Sequence, residues 1–405
     1  MTGTADVADV AISGGGIAGA TLAILLGRAG LRVELFDAQV FPRDKPCGEG
    51  LMPAGVDVLR RLGLADAVGG RTLRGIRYHG WGLQAESPFP VAGGARPTAV
   101  GQRRLHIDAV LFAAAQDTPG VRAFPGVAVD GAVVEGGRAV GLRAGGEVRR
   151  ARIIVGADGP LSPVRRSLGL DGARPRRWRV GLRAHFRLPP GTVQPDMVEV
   201  FMGEGHELYV TPLPGDEMLV AALAERAALT AADAGASGGD ARVRLARWID
   251  AQPALRDRLR GAEALAPVAG RSPLGVRARA GIFPGAVLLG DAAGFTDPVT
   301  GGGMAQALTT AELLAAAVVA ALDGGARGAR GGRGDDWLLR FDRRRRRVLR
   351  DYQRLTRALL FLVARPALAR LALRLMRRSP GLMSHLIGVA GGVRGLLGRA
   401  PAAGL

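Results

Sequence analysis

Gly14-Gly15-Gly16-Ile17-Ala18-Gly19 decides the fold of this 405-residue chain. The six residues follow an apolar run at 7–13 and open a stretch at 17–28 with helical character, after which residues 32–36 read as a second strand. A strand-turn-helix-strand unit with GxGxxG at its turn is built to bind a dinucleotide. Gly14 permits the tight turn, Gly16 lets backbone N–H groups approach a pyrophosphate, and Gly19 lets helix and strand pack closely. Ile17 and Ala18 lie in the first helical turn, whose N–H groups add partial positive charge. Asp37, eighteen residues past Gly19, is spaced to accept hydrogen bonds from a ribose diol, with Glu34 as second choice. The competing reading is an ordinary glycine turn.

Working outward, residues 152–155 and 286–289 are short apolar runs ending in Gly and Asp, as expected of buried parallel strands whose carboxyl ends face a ligand. Between them, residues 180–188, 197–202, 207–211 and 217–223 alternate or run apolar, with Pro214-Gly215-Asp216 as a turn, and residues 75–81 have the same character. The expected fold class is therefore α/β: a Rossmann-type dinucleotide domain with an inserted, mainly antiparallel β-sheet substrate domain and a helical C-terminus. The expected boundaries are 1–72, 99–179 and 270–325 for the discontinuous dinucleotide domain, 73–98 and 180–269 for the substrate domain, and 326–405 for the helical segment. Residues 324–334 are Gly/Arg-rich without an apolar face and read as a mobile loop. Residues 338–376 read as helical and amphipathic, with five arginines at 343–347; Arg365 and Pro366 interrupt the apolar run before it reaches the roughly 20 residues needed to span a bilayer.

The formal net charge of +19 raises nucleic-acid binding, but the basic residues are spread along the chain rather than interleaved with aromatics, so no nucleic-acid partner is expected. The single cysteine, Cys47, excludes an intrachain disulfide and fits a reducing compartment. The polar N-terminus lacks a signal-peptide pattern, so the expected location is cytoplasmic, with peripheral membrane contact through the basic helix at 343–347 as a further expectation. Its competing reading is a solvated arginine face. Five histidines form no metal-ligand spacing, and no metal is expected. Lys45 is the only lysine and asparagine is absent, which makes Lys45 worth following, because the two cations are not interchangeable.

Two further segments carry a family resemblance. Val155-Gly156-Ala157-Asp158-Gly159 with Ser162, Val164 and Arg165, and Gly290-Asp291-Ala292-Ala293 with Pro298 and Gly301-Gly302-Gly303-Met304, resemble the motifs of aromatic-hydroxylase-type flavoproteins, the superfamily of group A flavoprotein monooxygenases and geranylgeranyl reductases. The resemblance implies FAD as cofactor. It implies Asp158 near the FAD ribose region and the nicotinamide path, and the 290–304 residues as the second FAD signature. Asp291 at a strand end is suited to a ribityl or ribose hydroxyl, and the glycine run lets backbone approach a flat ring. A helix starting near Met304 would aim its N–H groups at the flavin pyrimidine edge. Arg104 matches the superfamily arginine near the FAD pyrophosphate, against a solvated helix-start arginine. Residues 41–50 resemble the same relatives, with Arg43 near the AMP half. Lys45 would stand beside a phosphate or the flavin edge, unless it is retained by chance. Cys47 faces the substrate or is simply packed.

No second GxGxxG unit is found, so NADPH or NADH would act as a transient reductant. The pattern resembles monooxygenases that use O2 to hydroxylate or epoxidise a small lipophilic phenolic, quinonoid, polyketide or isoprenoid molecule, and this is the expected activity. Geranylgeranyl reductases are the first alternative: their Tyr-x-Trp-x-Phe-Pro motif corresponds here to Tyr209-Val210-Thr211-Pro212-Leu213-Pro214, which lacks Trp and Phe. Thr300-Gly301-Gly302-Gly303-Met304 also looks more like squalene epoxidases than the Thr-Gly-Glu-Gly of the reductases. Halogenases are the second alternative, disfavoured because the tryptophans at 81, 178, 248 and 337 form no Trp-x-Trp-x-Ile-Pro. A non-enzymatic flavin-binding or basic nucleic-acid-binding scaffold is the third. Tyr209 would bind a substrate hydroxyl or serve as core. No catalytic acid or base is assigned.

Overall fold

The computed structural model describes residues 7–173, 179–233, 240–295, 297–326 and 335–398. The expected loop at 324–334 lies mostly outside them, as does Trp178.

The first sheet has strand order Ile282–Phe283, Ala286–Leu288, Glu147–Gly156, Ala8–Ser13, Val33–Asp37, Val121–Pro125. All neighbours are parallel except the first pair. Both of its faces are covered, which is why its strands are almost continuously apolar. Val10, Ile12, Val33 and Leu35 pack with the helices Ile17–Arg28, Arg104–Gln116 and Gly303–Ala326. Ala11, Phe36 and Ile154 pack instead against the antiparallel extension Val129–Glu135 and Arg138–Ala144.

The second sheet runs Glu263–Ala264, Arg179–Arg187, Glu217–Glu225, His206–Pro212, Val198–Met202, Gly75–Gly80, Leu83–Pro88, with Ala269–Arg271 also paired to Arg179–Arg187. Its pairs are antiparallel except Val198–Met202 with Gly75–Gly80, where two separate excursions of the chain meet. Alternation assigns its faces. Leu182, Leu208, Val210 and Val220 pack on helices Ala241–Asp250 and Pro253–Arg258, so that Glu207, Tyr209 and Thr211 point the other way, towards the first sheet's carboxyl edge.

The C-terminal segment, expected as one interrupted helix, is three: Asp336–Val363, Pro366–Arg378 and Pro380–Ala390. The break falls at Pro366, which removes a backbone donor and starts the next helix instead. Among the described residues one helix, Gly303–Asp323, is long and apolar enough to cross a membrane. Here it packs against Ile17–Arg28, Pro53–Leu62 and Asp336–Val363, with Leu308, Leu314 and Val318 fully buried.

Candidate functional site

Ser13 pairs with both Phe36 and Gly156, and Gly156 pairs with Leu288. The carboxyl ends of four parallel strands therefore stand side by side, and Asp37, Asp158 and Asp291 follow them directly. The glycine turn is fixed by steric necessity. Gly14 has φ +102°, and a Cβ there would lie 2.4 Å from the Ala157 carbonyl oxygen; a Cβ on Gly19 would lie 1.8 Å from the Gly14 oxygen. Gly16 starts the helix without a side-chain cap, leaving first-turn N–H groups for a ligand.

One cavity opens beside these strand ends. Gly16, Ile17, Ala18, Lys45, Cys47 and Arg104 line it, together with Gly290, Asp291, Pro298, Gly301, Gly303 and Met304. Its opposite wall is the inner face of the second sheet, including Ile76, Val198, Val200, Tyr209, Leu223 and Leu274. Gly14, Gly19, Asp37, Arg43, Asp158 and Gly302 do not line it. Asp37 accepts the Gly15 N–H (2.8 Å) and the Gln39 N–H (2.9 Å), so its carboxylate holds the glycine turn itself. Arg43 bridges Asp37 (3.5 Å) and Asp108 (2.9 Å). Asp158 accepts from Ser13 and Val164, but its Oδ1 is buried without a partner. Burial also pushes its carboxyl above the usual range. Gly302 donates its N–H to the Tyr352 hydroxyl (2.9 Å), and a Cβ there would lie 2.4 Å from the Tyr352 ring.

Lys45 Nζ reaches Asp291 at 3.4 Å, joining two segments 246 residues apart across the cavity. Cys47 accepts the Glu49 N–H (3.4 Å) and faces Arg104. Arg104 is buried, not solvated. Burial opposes its charge, but the adjacent Asp108 carboxylate and Cys47 sulfur outweigh this and hold the guanidinium above its ordinary value. Tyr209 is half-buried and donates to the Val299 carbonyl (3.0 Å), tying the sheet to the glycine-rich loop. Burial and the Glu207 carboxylate raise its hydroxyl well above 10.

Two buried ionic clusters frame the cavity, and sequence reasoning missed both. In one, fully buried Glu49 (φ +55°) accepts the Arg104 backbone N–H (2.9 Å) and bonds His185 Nε2 (2.7 Å), while Arg183 joins His185 Nδ1 (2.8 Å) to Asp44. In the other, Arg179 bonds Asp297 (2.7 Å) and Glu207. One guanidinium cannot neutralise two buried carboxylates, and desolvation pushes Glu207 up to about 7. The available signal was alternation: Arg179, Arg183 and His185 share one strand face, as do Glu207, Tyr209 and Thr211, each polar row set among apolar neighbours.

The donor set fits a dinucleotide: a helix N-terminus at Gly16 with no side-chain cap, a glycine turn that no Cβ could enter, and open space around Gly303. Among the described residues no group of three His, Cys, Asp or Glu could hold a metal ion.

The FAD binding domain family matches residues 7–354. A menaquinone reductase of Mycolicibacterium smegmatis is 33% identical over 323 residues, covering 76% of this chain and 75% of the relative. A 6-methylpretetramide 4-monooxygenase of Streptomyces rimosus is 33% identical over 173 residues, covering 40% of this chain and 41% of that protein. Among solved structures, a flavin-dependent brominase superposes with TM-score 0.78 at 20% identity, covering 95% of this chain and 93% of the other, a likeness of fold alone.

Proposed function

Because this chain belongs to the FAD binding domain family, an FAD-dependent oxidoreductase lineage, we propose that it reduces an isoprenoid double bond of a prenylated quinone or similar lipophilic molecule, with NADPH or NADH as transient electron source. The observation that carries this reading is a single chamber lined on one side by the glycine-rich dinucleotide segments and on the other by the apolar wall of Ile76, Val198, Val200, Leu223 and Leu274. A bound flavin ring and an apolar chain would meet there. The match to a menaquinone reductase over three quarters of both chains supports it.

Bound FAD supplies two-electron transfer from pyridine nucleotide to substrate. First-turn N–H groups at Ile17 and Ala18 hold the pyrophosphate, and Arg43 and Asp37 brace the turn beneath it. Asp291, oriented by Lys45, would receive a ribose or ribityl hydroxyl, and Asp158 stands behind the lining residues Ala157 and Gly159. Pro298, Gly301, Gly303 and Met304 would hold the flavin, and the helix beginning at Gly303 would favour negative charge on it. Saturating an alkene also takes a proton, and Cys47 and Tyr209 are protic groups lining the chamber; Arg104 fixes the position of Cys47.

Monooxygenation is the second reading, favoured by a specific feature. The Tyr352 ring fills the space that a Glu side chain would need at Gly302, so the reductase-type Thr-Gly-Glu-Gly cannot be built here. An assay with NADPH, FAD-loaded protein and a menaquinone separates the two. Anaerobic gain of two hydrogens is expected; O2-dependent gain of one oxygen replaces the first reading with the second, and purified protein that takes up no flavin defeats both.

A further inference from the structure

Exposed apolar surface beside cations lies further along the C-terminal helices than the run at 343–347. In the run at 343–347, Arg345 and Arg346 pair with Asp342 at 2.7 Å each, and the neighbouring Leu338 and Phe341 are buried in the core. Apolar surface is instead exposed further on. Leu371 and Leu375 are each 50% exposed, with Leu368 beside them on the same helix, and Phe361 and Leu382 extend the surface onto the adjoining helices. Positions 368, 371 and 375 follow the i, i+3, i+7 spacing of one helical stripe, while Ala369 and Leu373 on the opposite side are buried.

This patch is strongly one-signed. From residue 352 to 405 the sequence has nine arginines and neither Asp nor Glu. Arg370, Arg374, Arg377 and Arg378 are exposed on the helix that carries the stripe. An apolar stripe flanked by cations, on a helix that itself carries no acidic residue, complements an anionic bilayer: arginines meet phosphates while leucines enter the acyl boundary. A protein partner or second copy matching it would have to bring the acidic surface that this segment lacks.

We infer that the Pro366–Arg378 helix, with Phe361 and Leu382 beside it, docks the enzyme on an anionic lipid surface so that a lipophilic substrate enters directly from the bilayer; its substrate clause rests on the functional reading above. Leu373, on the underside of that helix, packs in one cluster with Met52, Ile76, Val198 and Val200, all of which line the cavity. The docked face is thus separated from the chamber by about 10 Å, one helix diameter.

Co-sedimentation of the FAD-loaded protein with vesicles of phosphatidylglycerol and phosphatidylcholine, or of phosphatidylcholine alone, tests the docking. Binding to the anionic vesicles is expected, weakened by salt, and reduced about ten-fold or more in L371E/L375E. That variant should keep its flavin content, melting temperature and turnover of a detergent-dispersed substrate, because both positions lie on the exposed face. Equal binding by wild type and variant overturns the inference, as does wild type remaining in the supernatant at low salt. So does a self-associated wild type that the variant renders monomeric, which would make the stripe a contact between copies. Failure of the detergent assay in both proteins would count against the functional reading while leaving vesicle binding to be judged by itself.

Discussion

Two buried ionic clusters, one beneath the glycine turn and one on the second sheet, use the same ingredients in different proportions. On the dinucleotide side, Arg43 and Arg104 share Asp37 and Asp108, one cation for each carboxylate, with Asp108 accepting three guanidinium N–H groups at 2.8–2.9 Å. On the sheet side, Arg179 alone serves both Asp297 and Glu207, and Glu207 keeps one buried oxygen without a partner. A balanced cluster pairs each charge and fixes geometry. An unbalanced one leaves a carboxyl whose proton depends on pH, placed where Tyr78 and Tyr209 feel its charge. The molecule thus pairs a charge-matched floor beneath the glycine turn with a titratable wall behind the cavity-lining tyrosines Tyr78 and Tyr209.

The contrast is broken most severely by D108N. Removing the carboxylate leaves two guanidinium groups buried with one remaining partner, and a loss of about 3–5 kcal/mol in urea unfolding is expected; a change below about 1 kcal/mol would mean the floor is not held by charge. E207Q sharpens the other half. Since the folded carboxyl titrates near 7 instead of 4.5, its protonated form stabilises the fold fully below pH 4.5, and that contribution is lost as pH rises through 7. The loss amounts to at most about 1.4 kcal/mol per pH unit within that window. Wild-type melting temperature should therefore fall from pH 5 to pH 8 relative to E207Q, and parallel curves would show that Glu207 does not titrate in that range. Y209F is the mildest test: loss of the hydrogen bond to Val299 should cost about 1 kcal/mol, with flavin retained, and a stability equal to wild type would mean that the tyrosine does not tie sheet to loop.

Much of the dinucleotide half was legible along the chain because its determinants are local. The turn, its helix and the aspartate beyond the second strand lie within residues 7–37, and backbone sterics alone demand glycine at 14 and 19. The same holds for the sheet strands, whose alternation marks both faces. Asp37 shows what spacing leaves out: besides standing where a ribose is expected, its carboxylate accepts the Gly15 and Gln39 N–H groups and holds the turn. Glu49 and His185 are 136 residues apart, and the resemblance of residues 41–50 gives Glu49 no partner, so nothing short of the fold brings them together. Nor does the helical periodicity of 336–390 say which leucines are covered. Sequence by itself determined the elements and the glycine cradle, since those follow from short-range sterics and periodicity. Tertiary structure alone decided which charges share a buried site and which apolar stripe stays exposed, because desolvation and pairing depend on groups that meet only once distant strands are packed.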